Sequence, residues 1–325
     1  MKPTEIAILN SNRSIPFLPR HLDRLQQIAP GSRIIIVDHA ADLARQAPSA
    51  DVLILWPAVG AELVDYCRQT ESLRWLHLFT SGVDTLMQSE AGKIPWYRIT
   101  STKGIHGYPI SDHVLAFIFT FLRQFHGAAQ AQRDHRWQFG ALSVGCREIA
   151  GLTVGIVGVG NIGLEVARKC KLLGMTVLGA KRQPIQSEWL DVCYPISDLE
   201  RLLERSDFVV LSLPLSDESK HIIGRHELMV MKKSAILINI ARGGVVDQQA
   251  LIDALTAGEI AGAGLDVTDP EPLPAESPLW DMSNVVITPH ISAQSPQYMD
   301  RAIEIIAGNL RRYLADEPLM FEVNR

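Results

Sequence analysis

TVGIVGVGNIGLEVARKCKLLGMTVLGAKR, residues 153–182, decides the reading of this chain. Gly158, Gly160 and Gly163 stand in G-x-G-x-x-G spacing. An apolar run precedes them and an amphipathic stretch follows, so the glycines sit at a strand-to-helix turn. Gly158 lets the chain turn sharply, and the missing side chain of Gly160 lets a pyrophosphate approach. Gly163 permits close helix–strand packing, and the helix N-terminus offers N–H groups and a positive dipole end. A glycine triplet alone is weak evidence. In this setting it predicts a dinucleotide-binding βαβ unit.

The second strand of such a unit commonly ends in an acid that holds the adenosine ribose 2′-hydroxyl. Here the run MTVLGA leads into Lys181 and Arg182. A carboxylate would bond a free hydroxyl and repel a 2′-phosphate; two cations do the reverse, through charge-assisted hydrogen bonds. The expectation is NADP(H) in preference to NAD(H).

Working outward, short apolar runs alternate with helix-type stretches. EIAIL (5–9), RIIIV (33–37), DVLIL (51–55) and WLHLF (75–79) read as strands, with amphipathic segments near 18–28 and 60–69. A second series runs TVGIVG, MTVLGA, DFVVLSL, AILINI, AGAGLDV and VVIT. Continuous apolar strands belong in parallel sheets buried on both faces. The fold class expected is α/β, with two doubly wound parallel-sheet domains. Residues 1–101 and 289–325 form one domain, and 102–288 is the insert. A long helix beginning near Pro109 is expected to span from one domain to the other. The last helix, around 296–314, is expected to return to the first domain.

The chain has 325 residues, a net charge of −5 and 47% hydrophobic content. That charge argues against general affinity for nucleic acid or anionic membranes. No signal-peptide layout or membrane-length apolar run stands out. Cys67, Cys146, Cys170 and Cys193 are scattered without a CxxC pair. They read as reduced, mostly buried thiols, with the cytoplasm as the default compartment and no metal site.

Three polar residues follow strand-like runs in the second half: Arg242 in NIARGGVVD, Glu271 in TDPEPLP and His290 in ITPHISAQSP. Ligands of open parallel sheets bind beyond the carboxyl ends of the strands. Each residue has a bland reading as a surface or structural side chain. Beside a dinucleotide turn, together they suggest hydride transfer to a keto acid. Arg supplies a rigid fork of donors for a carboxylate and a carbonyl oxygen. His supplies a proton, and a Glu carboxylate favours its imidazolium form.

The segments GLTVGIVGVGNIG, LPLSDESKHIIG, INIARGGVVD, GAGLDVTDPEPLP and VVITPHISAQSP, in that order, resemble the successive motifs of the D-isomer-specific 2-hydroxyacid dehydrogenases. LFTSGVDTL and GIHGYPISDHVLA match more loosely. The resemblance implies a Rossmann-type cofactor domain inserted in a flavodoxin-like substrate domain, with the active site in the cleft between them. It makes Arg242 the substrate-binding arginine, His290 the acid/base and Glu271 its partner. It places the Ser81 and Gly82 amides on the substrate carboxylate, and Asn161 and Ile162 on the pyrophosphate. Leu213 and Pro214 would border the cofactor. Ile240, Ala241 and Asp266 would lie near the nicotinamide carboxamide, and His290, Ser292 and Ala293 along the cofactor side. Trp56 and Phe79 sit where relatives shape the substrate pocket, though core packing is the better reading for Phe79.

The expected activity is reduction of a 2-keto acid to a D-2-hydroxy acid, with glyoxylate or hydroxypyruvate as the small candidates. A homodimer joined through the cofactor domain is implied, with Trp137 either packing at that interface or reaching the partner's active site. The alternative of another class is an NAD(P)-sensing binding protein or corepressor on the same fold.

Overall fold

The computed structural model describes residues 4–11, 15–56 and 59–323. The chain divides into two units, Met1–His106 with Ser295–Arg325, and Gly107–Gln294. These boundaries fall a few residues beyond the expected 101/102 and 288/289.

Among the described residues of the first unit, β1 (Glu5–Leu9), β2 (Arg33–Val37), β3 (Val52–Leu55), β4 (Trp75–Leu78) and β5 (Arg98–Ser101) form a parallel sheet in the order β2-β1-β3-β4-β5. Alternate side chains feed two cores, as the strand repeat requires. Ala7, Leu9, Leu53 and Leu55 enter one, and Ile6, Ile8, Val52 and Ile54 the other. The helix Tyr298–Leu314 packs into the second core with Met299, Ile303 and Ile306. Arg20 and Arg24, on the helix Pro19–Ile28, clamp its Asp300 and Glu304 through paired hydrogen bonds. The last helix therefore belongs to the first unit.

His77, inside β4, is fully buried yet satisfied: Nδ1 meets Thr100 Oγ1 at 2.7 Å and Nε2 meets Thr102 Oγ1 at 3.1 Å. Burial pulls its pKa down to about 3, so the ring is neutral.

The second unit holds β6 (Thr153–Val157), β7 (Thr176–Lys181), β8 (Val192–Pro195), β9 (Phe208–Leu211), β10 (Ile236–Asn239), β11 (Gly262–Leu265) and β12 (Val285–Ile287). They form a parallel sheet in the order β12-β11-β10-β9-β6-β7-β8. β6 is flanked by β7 and β9, so the order reverses there, and ligands of open α/β sheets bind at such switch points. Val157, Val209, Leu211 and Leu237 face one core; Val154, Ile156, Val210 and Ile238 face the other.

The expected long helix is two helices, and both lie in the second unit. Gly107–Leu122 stops before Gln124, whose φ of 56° is left-handed, and Phe125–Arg133 follows. The Gln124 side chain donates to the carbonyls of Phe121 and Gly145, which holds the break. The thiols are more varied than expected: Cys67 and Cys170 are buried, Cys193 is intermediate and Cys146 is exposed. No helix of the described residues is long and apolar enough to cross a membrane. Among the same residues, no group of His, Cys, Asp or Glu is arranged to hold a metal ion.

Candidate active site

The loops leaving β10, β11 and β12 carry Arg242, Glu271 and His290. These three strands are hydrogen-bonded neighbours in one parallel sheet, so their loops leave from one edge. The three loops are neighbours because the sheet order is local here, although the sequence separates them.

His290 Nδ1 lies 2.6 Å from Glu271 Oε1, with the two side chains 45% and 41% exposed. A carboxylate only accepts, so Nδ1 carries hydrogen, and Nε2 has no hydrogen-bond partner among the described residues. The loop that presents the ring is tied down. His290 has a left-handed φ of 53°, an uncommon conformation that needs surrounding support. Asp266, buried at the end of β11, gives that support. Its Oδ1 accepts from Thr288 Oγ1 at 2.7 Å and from the Ile291 N–H at 2.9 Å, its Oδ2 accepts from the Ser292 N–H at 3.0 Å, and its carbonyl accepts from the His290 N–H at 2.8 Å. His113, on the helix Gly107–Leu122, reaches the same knot with Nε2 2.9 Å from Thr288 Oγ1. Thr288 has already donated its proton to Asp266, so the imidazole donates to Thr288. Burial lowers the His113 pKa, against the opposing pull of the Asp266 charge.

Arg242 is half-buried, with Nη1 donating to the Ala241 carbonyl at 2.7 Å and its own carbonyl accepting from Asn239 Nδ2 at 3.0 Å. The Ala241 N–H is held by Asn239 Oδ1 at 3.0 Å, and Ile240 is buried in the core. Gly243 brings the Arg242 loop against the Glu271 loop: a Cβ there would overlap the backbone of Thr268 and Asp269. Only glycine allows that approach.

At the switch point, Gly158 has a φ of 99°, and a Cβ on it would fall 2.8 Å from Leu213. Ser212 Oγ donates to the Gly158 carbonyl at 2.7 Å. Gly160 caps the helix Asn161–Leu172 without any side-chain hydrogen bond, and a Cβ placed on it meets nothing within 4 Å. Open space above N-terminal N–H groups that no side chain caps fits a dinucleotide pyrophosphate. Leu213 is half-buried and Pro214 exposed on the facing loop; Ser292 is buried and Ala293 packs on the core.

Lys181 is the last paired residue of β7, opposite Pro195, and is half-buried. Arg182 is exposed and ion-paired: its Nη1 lies 3.1 Å from Glu218 Oε2.

A family model described as the D-isomer specific 2-hydroxyacid dehydrogenase NAD binding domain matches residues 115–292. A glyoxylate reductase of Korarchaeum cryptofilum is 37% identical over 295 residues, covering 89% of this chain and 85% of that protein. This chain belongs to the D-isomer specific 2-hydroxyacid dehydrogenases. A family member of known structure from Aeromonas salmonicida superposes with a TM-score of 0.87 at 29% identity, covering 99% of both chains. The NADPH-dependent glyoxylate/hydroxypyruvate reductase of Sinorhizobium meliloti, solved in complex with NADP and sulfate, gives a TM-score of 0.80 at 26% identity, covering 99% of this chain and 98% of that one. Membership makes the protein an oxidoreductase that acts on CH–OH donors with a nicotinamide cofactor.

The dehydrogenase residues named in the first unit lie past the carboxyl ends of its strands. Ser81 is exposed and Gly82 half-buried in the loop after β4, where Thr80 Oγ1 donates to the Gly82 carbonyl at 2.9 Å. Trp56 follows β3, 6% exposed, and stacks on Phe79 with ring centroids 5.2 Å apart. Phe79 is fully buried and packs in the core as well.

Sequence reading missed Glu218, Thr288 and His113. Glu218 sits in the polar loop LPLSDESK, where an acid among several has no distinguishing mark. Thr288 and His113 meet across a sequence separation of 175, which no local pattern encodes.

Proposed function

We propose that the protein reduces a 2-keto acid to the D-2-hydroxy acid with NADPH, acting on glyoxylate or hydroxypyruvate. The observation that carries this reading is the 2.6 Å contact of His290 with Glu271, on loops of the sheet whose next strand presents Arg242.

A bound nicotinamide supplies the hydride to the keto carbon. Everything else falls to the protein. Arg242 holds the substrate carboxylate and polarises the carbonyl oxygen. Ser81 and Gly82 offer backbone N–H groups to the carboxylate. As negative charge grows on the carbonyl oxygen, His290 delivers its Nε2 proton, and the product is the neutral alcohol. Glu271 keeps the ring oriented through Nδ1 and stabilises the imidazolium that must donate. Asp266 acts on the loop, through Thr288, Ile291 and Ser292.

The half-buried Lys181 and the exposed Arg182 support NADPH as the preferred donor, because they stand where a ribose-binding acid would stand. The names of the relatives point the same way: the Sinorhizobium meliloti protein is NADPH-dependent. We also read the second unit as the dimerising one. Its stretch beyond Arg133 exposes Trp137 (96%), Phe139 and Val144, an apolar display that calls for a covering surface.

The experiment is a panel of 2-keto acids assayed with NADPH and NADH at equal concentration. NADPH oxidation with glyoxylate or hydroxypyruvate supports the reading. Cofactor binding without turnover of any keto acid would return the chain to the dinucleotide-sensing alternative.

A further inference from the structure

Three buried side-chain atoms among the described residues have no hydrogen-bond partner: Asn10 Oδ1, Trp56 Nε1 and His106 Nδ1. All three lie past the carboxyl ends of strands in the first unit's sheet. Asn10 directly follows β1, Trp56 directly follows β3, and His106 lies in the segment after β5. β1 and β3 are hydrogen-bonded neighbours. A buried donor or acceptor left unpaired is costly, and native proteins keep few of them. Here they gather at the edge where parallel sheets take ligands.

Two of the three share a tyrosine. The Trp56 ring stacks on Tyr298 with centroids 5.6 Å apart, and the His106 ring meets Tyr298 edge-on at 5.2 Å. Both residues are at least nine-tenths buried, Trp56 at 6% and His106 at 5% exposure. Proton accounting fixes what each offers. Tyr298 has one O–H, donated to the Phe79 carbonyl at 2.7 Å. Its oxygen therefore accepts from His106 Nε2, 3.0 Å away. Burial pulls the His106 pKa down to about 4, so the ring is neutral and Nδ1 is a bare acceptor. Trp56 Nε1 is a donor only.

An unmet donor and an unmet acceptor around one tyrosine are the complement of a hydroxyl group, which accepts one hydrogen bond and gives one. A carboxylate would satisfy only the indole, and a methyl group neither. Phe79, which stacks on Trp56, immediately precedes the loop of Ser81 and Gly82, so the carboxylate end of the same small molecule would be held close by in the chain. We propose that Trp56 Nε1 and His106 Nδ1 form a subsite for a hydroxyl on the substrate's tail, making the preferred substrate a 2-keto acid hydroxylated at C3. The subsite is enclosed, so the aromatic cluster relaxes to admit the hydroxyl oxygen. This inference rests on the keto-acid reading given under Proposed function.

The test compares hydroxypyruvate with pyruvate, which differ by that hydroxyl alone. The wild-type kcat/KM ratio is expected to exceed about 100 in favour of hydroxypyruvate, since sites built to bond a hydroxyl reject its deletion strongly. Trp56→Phe and His106→Phe should each cut that ratio about tenfold or more, with folding checked by circular dichroism. A wild-type ratio within about threefold of unity overturns the subsite, as does an unchanged ratio in both folded variants. Binding separates the two claims: on NADPH-loaded protein, D-glycerate should bind about tenfold tighter than D-lactate by calorimetry. If neither keto acid is turned over, the assigned reaction fails, and the binding comparison alone decides the subsite: equal affinities overturn it and the expected difference upholds it.

Discussion

Glu218 Oε2 sits 3.1 Å from Arg182 Nη1, so one of the two cations assigned to the cofactor already has a carboxylate partner. Both side chains are exposed. An exposed pair of this kind is weak and exchanges readily, and a 2′-phosphate carries more charge than the carboxylate it would displace. On the proposed NADPH reading, Glu218 would compete with the phosphate for Arg182. Glu218→Gln should tighten NADPH binding about two- to fivefold and leave NADH binding unchanged, as measured by nucleotide fluorescence titration. Equal effects on both nucleotides would count against a phosphate site at Arg182.

The His290–Glu271 contact predicts two graded losses. His290→Ala should lower kcat for keto-acid reduction by about 10²–10⁴, the range expected for a positioned acid. Glu271→Gln keeps a partner for Nδ1 but removes the full charge from its acceptor, which weakens a charge-assisted hydrogen bond. Reduction by this variant should be slowed about tenfold, a smaller loss than that of His290→Ala. Steady-state initial rates of the two variants measure the difference.

Thr288 and His113 touch neither cofactor nor substrate in the assigned chemistry. They are positioning residues for the His290 loop. Thr288→Val and His113→Leu should each lower kcat about tenfold with little change in KM, whereas Thr288→Ser should recover most of the loss. The double variant should be scarcely worse than Thr288→Val alone, because both act through one chain of hydrogen bonds. Additive losses would break the proposed linkage.

Acid should weaken the first unit. The His77 pKa is pulled to about 3 and that of His106 to about 4, both by burial. In the unfolded chain each would titrate near its ordinary value of about 6.5. The unfolded state then binds more protons below that pH. Stability is fully present above about pH 6.5 and is lost as pH falls toward the two native values, by up to about 1.4 kcal/mol per pH unit for each histidine. Urea denaturation between pH 7 and 4.5 measures the slope, which His77→Gln should reduce.

Most of the strands were legible because each was a short apolar run, and a sheet covered on both faces needs such runs. The two that escaped, β5 (RITS) and β8 (VCYP), are edge strands of their sheets. Edges tolerate polar side chains, so RITS did not stand out as apolar, and VCYP is a four-residue run closed by a proline. The break at Gln124 was also hidden: RQ is ordinary helix composition, and the left-handed turn is held by bonds to the Phe121 carbonyl and to the Gly145 carbonyl 21 residues away. Arg242, Glu271 and His290 could be picked out because chemistry-bearing types followed strand runs. The role of Asp266 was less accessible. An acid after a strand suggests a ligand contact, yet here its carboxylate is occupied by Thr288, Ile291 and Ser292. The orientation of Trp56 and the partner of Arg182 required the fold.

The three side chains proposed to react sit on loops that leave three adjoining strands, and the loop of one is pinned to the next strand by a buried carboxylate. The His290 loop is thereby tied to the sheet itself. Catalytic power and folded structure should then disappear together on warming, so the temperature of half-inactivation coincides with the melting midpoint rather than preceding it.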